Sequence, residues 1–131
     1  MLSADLDTIR ITLHLLGVTV WIGGQILMAA LVPVLRGISS DAPRLAAARF
    51  GQVAWAFFGL AMVTGIWNIF ALEGTQSSEY NATLGVKLLA VTVSGMAAFL
   101  HQRTPSAAVR GATGGIGLIA ALAALLLGVM L

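Results

Sequence analysis

Residues 84–101 read LGVKLLAVTVSGMAAFLH, and Lys87 is the only formally charged side chain in the stretch. A run this apolar and this long has no polar face for water to wet, so it is read as a helix crossing a bilayer, which needs roughly 20 apolar residues. An ammonium near its start and an imidazole, His101, at its end therefore ask for a reason. Working outward, a second run of the same kind, RITLHLLGVTVWIGGQ (10–25), holds the other histidine, His14.

The whole chain shares this character. Hydrophobic residues make up 59%, charged residues only 9%, and the mean hydropathy is +0.97. A soluble domain carries about a quarter charged residues, so this chain lacks the means to cover a water-facing surface. The pI near 10.0 comes from seven basic against five acidic residues. These basic residues are scattered, with no aromatic-basic patch, so no nucleic-acid partner is expected. The absence of cysteine excludes disulfides, thiolate metal sites, iron–sulfur clusters and thiol catalysis together. The start, MLSADLD, is acidic and no cleavage motif follows the first apolar run, so that run reads as a permanent span rather than a secretory signal.

Four spans are predicted, at about residues 9–35, 46–72, 82–102 and 108–131, within one domain and without internal repeats. Their length and all-round apolarity favour helix over strand in lipid. The expected fold is all-α: an integral membrane four-transmembrane-helix bundle, antiparallel and up-down. RGISSDAPRL (36–45), EGTQSSEYN (73–81) and HQRTPSAAVR (101–110) supply the polar and turn-forming residues of connections. Arg36, Arg44, Arg49, Arg103 and Arg110 fall on one side, while Arg10 shares the other with Asp5, Asp7, Glu73 and Glu79. The positive-inside rule then places both termini outside, in a bacterial cytoplasmic (inner) membrane, with the lipid bilayer as the first partner.

Buried polar groups in a membrane face the bundle interior. His14, Val18, Trp21, Gln25 and Met28 follow steps of four and three and share a stripe, as do Lys87, Val91, Ser94, Ala98 and His101. Both are seams for a common interior or for ordinary interhelical hydrogen bonds. His101 lies roughly 21 Å along the axis from Lys87 at about 1.5 Å per residue, whereas a metal–nitrogen bond is about 2 Å. His14 and His101 are therefore assigned to two levels. At the outer level, His14 is a candidate axial ligand for haem b, Met62 a possible second, Trp21 lies along the same stripe, and Arg10 and Lys87 stand near the propionates. Alternatively, Lys87 snorkels to the headgroups and His14 bonds a neighbouring helix. At the inner level, His101, Met28 and Met96 offer imidazole and thioether to copper, with His14 near an outer metal site. Alternatively, His101 lies at the headgroup boundary and Gln52 pairs with Gln25.

LHLLGVTVWIGG (13–24), ARFGQVAW (48–55), TGIWNI (64–69) and GVKLLAVTVSGMAAFLHQR (85–103) resemble the CopD family of bacterial membrane proteins and its HemJ-like relatives. The likeness covers all four spans, and its informative positions are His14, Trp21, Gly24, Pro33, Arg49, Phe50, Gly65, Lys87 and His101. It implies copper uptake in the first case. In the second it implies haem b and membrane redox chemistry, with His14 as haem ligand and Lys87 as a functional residue. Departures stand at Ile11, where the HemJ-like pattern has lysine, and at Val34, where it has arginine. The start of the last span, GATGGIG (111–117), lacks the acidic residue usual in both families. Without those charges a tetrapyrrole carboxylate loses part of its clamp.

Three functions follow. One is a haem b protein with a redox or electron-transfer role; one is a copper-handling protein; one is a non-catalytic accessory subunit, as a homodimer or within a larger membrane complex. Hydrolysis is not expected, because no Ser/His/Asp arrangement exists and every carboxylate lies outside the spans.

Overall fold

The computed structural model describes residues 4–131, so the first three residues of the acidic N-terminal stretch lie outside the described part. Four helices follow one another: α1 (Leu6–Ile38), α2 (Ala42–Phe70), α3 (Ser78–Arg103) and α4 (Ala107–Met130). Each is long and apolar enough to cross a membrane. Large apolar side chains such as Leu27, Phe70, Leu89 and Ile119 stand exposed along them, as expected where the solvent is lipid.

Local chemistry sets the helix starts. Asp5 accepts from the Thr8 N–H at 2.8 Å, Ser77 from the Tyr80 N–H at 3.1 Å, and Ser106 from the Val109 N–H at 3.3 Å. These caps satisfy donors that a first helical turn leaves open. Ser39 accepts from the Ala42 N–H at 3.0 Å, and Pro43 sits in the first turn of α2, where its missing donor costs nothing. Because the capping residues lie outside the apolar runs, α1 begins at Leu6 and α3 at Ser78, earlier than the predicted 9 and 82. At about 1.5 Å per residue the 33 residues of α1 exceed a hydrocarbon core of roughly 30 Å. Pro33 lies inside α1, which continues past it to Ile38. Gly74, with φ +71°, supplies the left-handed turn between α2 and α3.

Contacts group the chain into two compact units, Met1–Glu73 and Gly74–Leu131. Each is an antiparallel helical hairpin, α1 with α2 and α3 with α4. In the first, α1 meets α2 through His14, Gly17, Trp21 and Gly24, spaced three, four and three. A Cβ at Gly17 would stand 2.7 Å from the Phe57 carbonyl oxygen and 2.8 Å from the Ala61 nitrogen, so the two backbones touch there. Gly24 accepts the ring of Phe50 in the same way. Between these contacts Trp21 packs 5.3 Å from Trp55 and 4.5 Å from Phe58.

Beside Val18 and Gln25 of the predicted stripe, Gly17 and Gly24 make the close approaches to α2. Apolar bulk is a poor guide where lipid is the solvent, because helices there associate by close fit. Gln25 donates to the Trp21 carbonyl at 3.0 Å, and Gln52 accepts from Arg49 at 3.0 Å, so each finds its partner on its own helix rather than in the other glutamine.

The second hairpin is closed by small residues. Ser94, 1% exposed, donates to the Gly117 carbonyl at 3.0 Å, and Ala97 packs on the same glycine. Ala121 and Ala124 continue the buried face of α4.

Candidate functional site

His14 is held from α2. Its Nδ1 lies 2.9 Å from the Ala61 carbonyl oxygen and 3.2 Å from Thr64 Oγ1. A carbonyl only accepts, so Nδ1 carries the proton and donates, and the ring's lone pair resides on Nε2. Thr64 is buried and directs its own hydroxyl to the Leu60 carbonyl at 2.6 Å, which leaves Oγ1 as an acceptor facing the imidazole. The ring rests against Gly65, where a Cβ would stand 3.2 Å from His14 Cε1. An aliphatic residue at position 65 would crowd the ring, and one at 61 leaves its carbonyl in place. The arrangement therefore depends on backbone as much as on side chains.

One turn before His14, Arg10 forms an ion pair with Asp7 at 3.0 Å through Nη1. The Arg10 side chain is 13% exposed and that of Asp7 69%. The Arg10 Nε and the Asn68 Oδ1 are buried without a hydrogen-bond partner. Among the groups outside the spans, Asp5 has its carboxyl held below the usual carboxylate range, first by the Thr8 hydroxyl and then by the Thr8 N–H.

His101 repeats the imidazole geometry in the other hairpin. Its Nδ1 donates to the Arg110 carbonyl at 2.7 Å, and the ring lies against Gly114, where a Cβ would stand 3.1 Å from Nδ1. Arg110 in turn donates to the Thr104 carbonyl at 3.0 Å, and the Arg103 guanidinium lies 4.9 Å from the Phe99 ring centroid. Lys87 extends its ammonium over Gly128, where a Cβ would stand 3.1 Å from Nζ. Gly128 belongs to the last turn of α4, whose terminal carbonyls favour a positive charge.

The predicted residues thus fall as follows. His14, Arg10 and Trp21 lie on the α1 side of the first hairpin, with Trp21 buried in an aromatic cluster. Met28 is half-buried on the same helix. Met62 is 36% exposed, one position beyond the Ala61 whose carbonyl holds His14. In the second hairpin, Met96 is 62% exposed while His101, five residues on, turns to α4. Among the described residues no cluster of three or more His, Asp or Glu side chains is placed to hold a metal ion; a haem iron asks for only one or two protein ligands.

Sequence reading missed Thr64. The signal for it is the turn: His14 and Thr64 stand 25 residues either side of Ser39, the register an antiparallel hairpin with a short connection imposes.

Comparison with protein-family models, with curated protein sequences and with solved structures yields no match.

Proposed function

We propose that the chain is a haem b-binding protein of the bacterial cytoplasmic membrane, similar to CopD and HemJ-like proteins, with His14 as axial ligand. The observation that supports this is the Nδ1–H···O=C bond from His14 to Ala61. Ligating histidines almost always donate their other ring N–H to a carbonyl or carboxylate, which fixes the tautomer, orients the ring and raises the basicity of the ligating nitrogen. Ala61 supplies that carbonyl, Thr64 a second acceptor, and Gly65 the space for the ring to lie flat. In this reading His14 would hold the haem iron through its imidazole. Haem, when bound, supplies a one-electron redox centre. The chain's own part is to hold the imidazole in one orientation and to keep bulk water from it with half-buried, apolar surroundings.

In this reading the four spans run up and down through the bilayer, with Arg36, Arg44, Arg49, Arg103 and Arg110 at the cytoplasmic face and both termini outside. A Cu(I) site is less well served. It requires soft ligands gathered at one point, and Met96 and His101 lie on different sides of α3.

Purified protein from haem-replete cells is expected to show a Soret band that His14→Ala abolishes and His101→Ala retains. Colourless wild-type protein overturns the proposal, as does a band that survives His14→Ala.

A further inference from the structure

The seats of the two histidines repeat one pattern of residues. AMVTG (61–65) faces His14 and RGATG (110–114) faces His101. In each, the first residue offers its carbonyl to Nδ1, the fifth is the glycine against the ring, and the fourth is a threonine. Both threonines are buried, Thr64 at 2% and Thr113 at 9% exposure. Both turn their hydroxyls back along the helix: Thr64 donates to the Leu60 carbonyl at 2.6 Å and Thr113 to the Val109 carbonyl at 2.7 Å. Each Oγ1 also stands 3.3 Å from the carbonyl oxygen that holds the imidazole, that of Ala61 in one seat and of Arg110 in the other. One contact separates the seats. Thr64 Oγ1 lies 3.2 Å from His14 Nδ1, whereas Thr113 acts on its ring by way of the shared Arg110 carbonyl.

We infer that Thr64 is the positioning residue that fixes which nitrogen of His14 carries the proton. A hydroxyl beside a neutral imidazole can act either way, donating to a bare nitrogen or accepting from an N–H. The Leu60 carbonyl removes that choice: it takes the hydroxyl proton, so Thr64 presents a lone pair to the ring. A bare Nδ1 would then face two acceptors, the Thr64 oxygen and the Ala61 carbonyl, with no proton between them. Buried acceptors left without a donor are more costly than a bond merely not made. With the proton on Nδ1 the groups form a directed chain, imidazole N–H to hydroxyl to carbonyl, in which each bond polarises the next. The inference deepens the proposed function by naming what sets the ligating nitrogen, and it rests on that reading only for what the nitrogen holds.

The test is nitrogen-15 NMR of the full chain in detergent at about pH 9, above the ordinary imidazole range, with the histidine rings labelled. The chain has two histidines, told apart with His101→Asn, and protonated and bare ring nitrogens resonate far apart. Wild-type His14 is expected as the Nδ1–H tautomer. Thr64→Val keeps the shape, removes the oxygen and shifts the His14 ratio toward Nε2–H about fivefold, the weight of one net hydrogen bond. Thr64→Ala is expected to do the same, and Thr64→Ser, which keeps the hydroxyl, to retain the wild-type ratio. Thr113→Val is expected to move His101 less than Thr64→Val moves His14. An Nε2–H ring in the wild type, an unchanged ratio in Thr64→Val and Thr64→Ala, or a shift in Thr64→Ser as large as theirs overturns the assignment. So does a Thr64→Val shift that appears equally at His101, or an equal effect of Thr113→Val on its own ring. The rings are read without reference to haem. A colourless protein with a Thr64-dependent tautomer therefore upholds this inference and ends the haem reading, while a Soret band that needs His14 beside a Thr64-independent tautomer does the reverse.

Discussion

α1 and α3 carry their chemistry in the same seven-residue frame, His14–Trp21–Met28 on one and Lys87–Ser94–His101 on the other. The hairpins they form nevertheless close by different means. The first alternates glycine notches with aromatic bulk: Gly17 lies against the backbone of Phe57 and Ala61, Gly24 against Phe50, with Trp21, Trp55 and Phe58 between. The second buries small residues, Ser94, Gly95 and Ala97 on α3 and Thr113, Gly117, Ala121 and Ala124 on α4, with the Ser94 hydroxyl bonded to the Gly117 carbonyl across. In lipid neither gains from the hydrophobic effect, so each must gain from fit. The aromatic hairpin fits by shape at a few points. The small-residue hairpin fits by uniform closeness, and its polar bond settles the register.

The largest effect that separates them is expected at the glycines. Gly17→Ala places a methyl 2.7–2.9 Å from backbone atoms and the Ala61 side chain, none of which rotates away. Overpacking of this kind costs about 1–3 kcal/mol, read as a lower melting temperature in detergent. Gly117→Ala meets Ala97 at 3.4 Å, ordinary contact distance, and gains up to about 1 kcal/mol of helix propensity, so it is expected to be near neutral. Equal losses in both would erase the distinction between the two modes of closure.

A smaller effect is expected at Ser94. Ser94→Ala leaves the Gly117 carbonyl without its cross-helix donor and costs roughly 0.6–1.7 kcal/mol, the range for interhelical bonds in membranes. A neutral Ser94→Ala would reduce the second hairpin to packing alone.

The smallest effect concerns the caps, one titratable and one not. Asp5 caps α1 and Ser77 caps α3. Because the Thr8 hydroxyl and N–H hold the Asp5 carboxyl low, its cap is complete above the ordinary carboxylate range and is lost as pH falls through the lowered value. Amide exchange at Thr8 is expected to rise in acid relative to its intrinsic rate, while Tyr80 behind Ser77 keeps its protection.

Much of this architecture was legible beforehand. Runs such as 84–101 are long and apolar enough to cross a membrane, and the caps at Asp5, Ser77 and Ser106 explain why the helices outrun the apolar segments. The seams were half legible. His14 and Trp21 stand out by type, but Gly17 and Gly24 carry no side chain for a periodicity to detect, although they make the closest contacts. At the candidate site, His14 announces itself while its partner is a carbonyl, and every residue has one of those. Only the turn at Ser39–Asp41, by fixing which positions face each other, tells Ala61 and Thr64 from their neighbours.

Both imidazoles are seated on glycines, Gly65 for His14 and Gly114 for His101. A saturation scan of this chain would therefore score those two positions as intolerant for a borrowed reason, each glycine phenocopying loss of the ring it shelters. Trimming position 14 in a Gly65 variant is then expected to relieve the crowding and recover stability, while whatever the ring does stays lost.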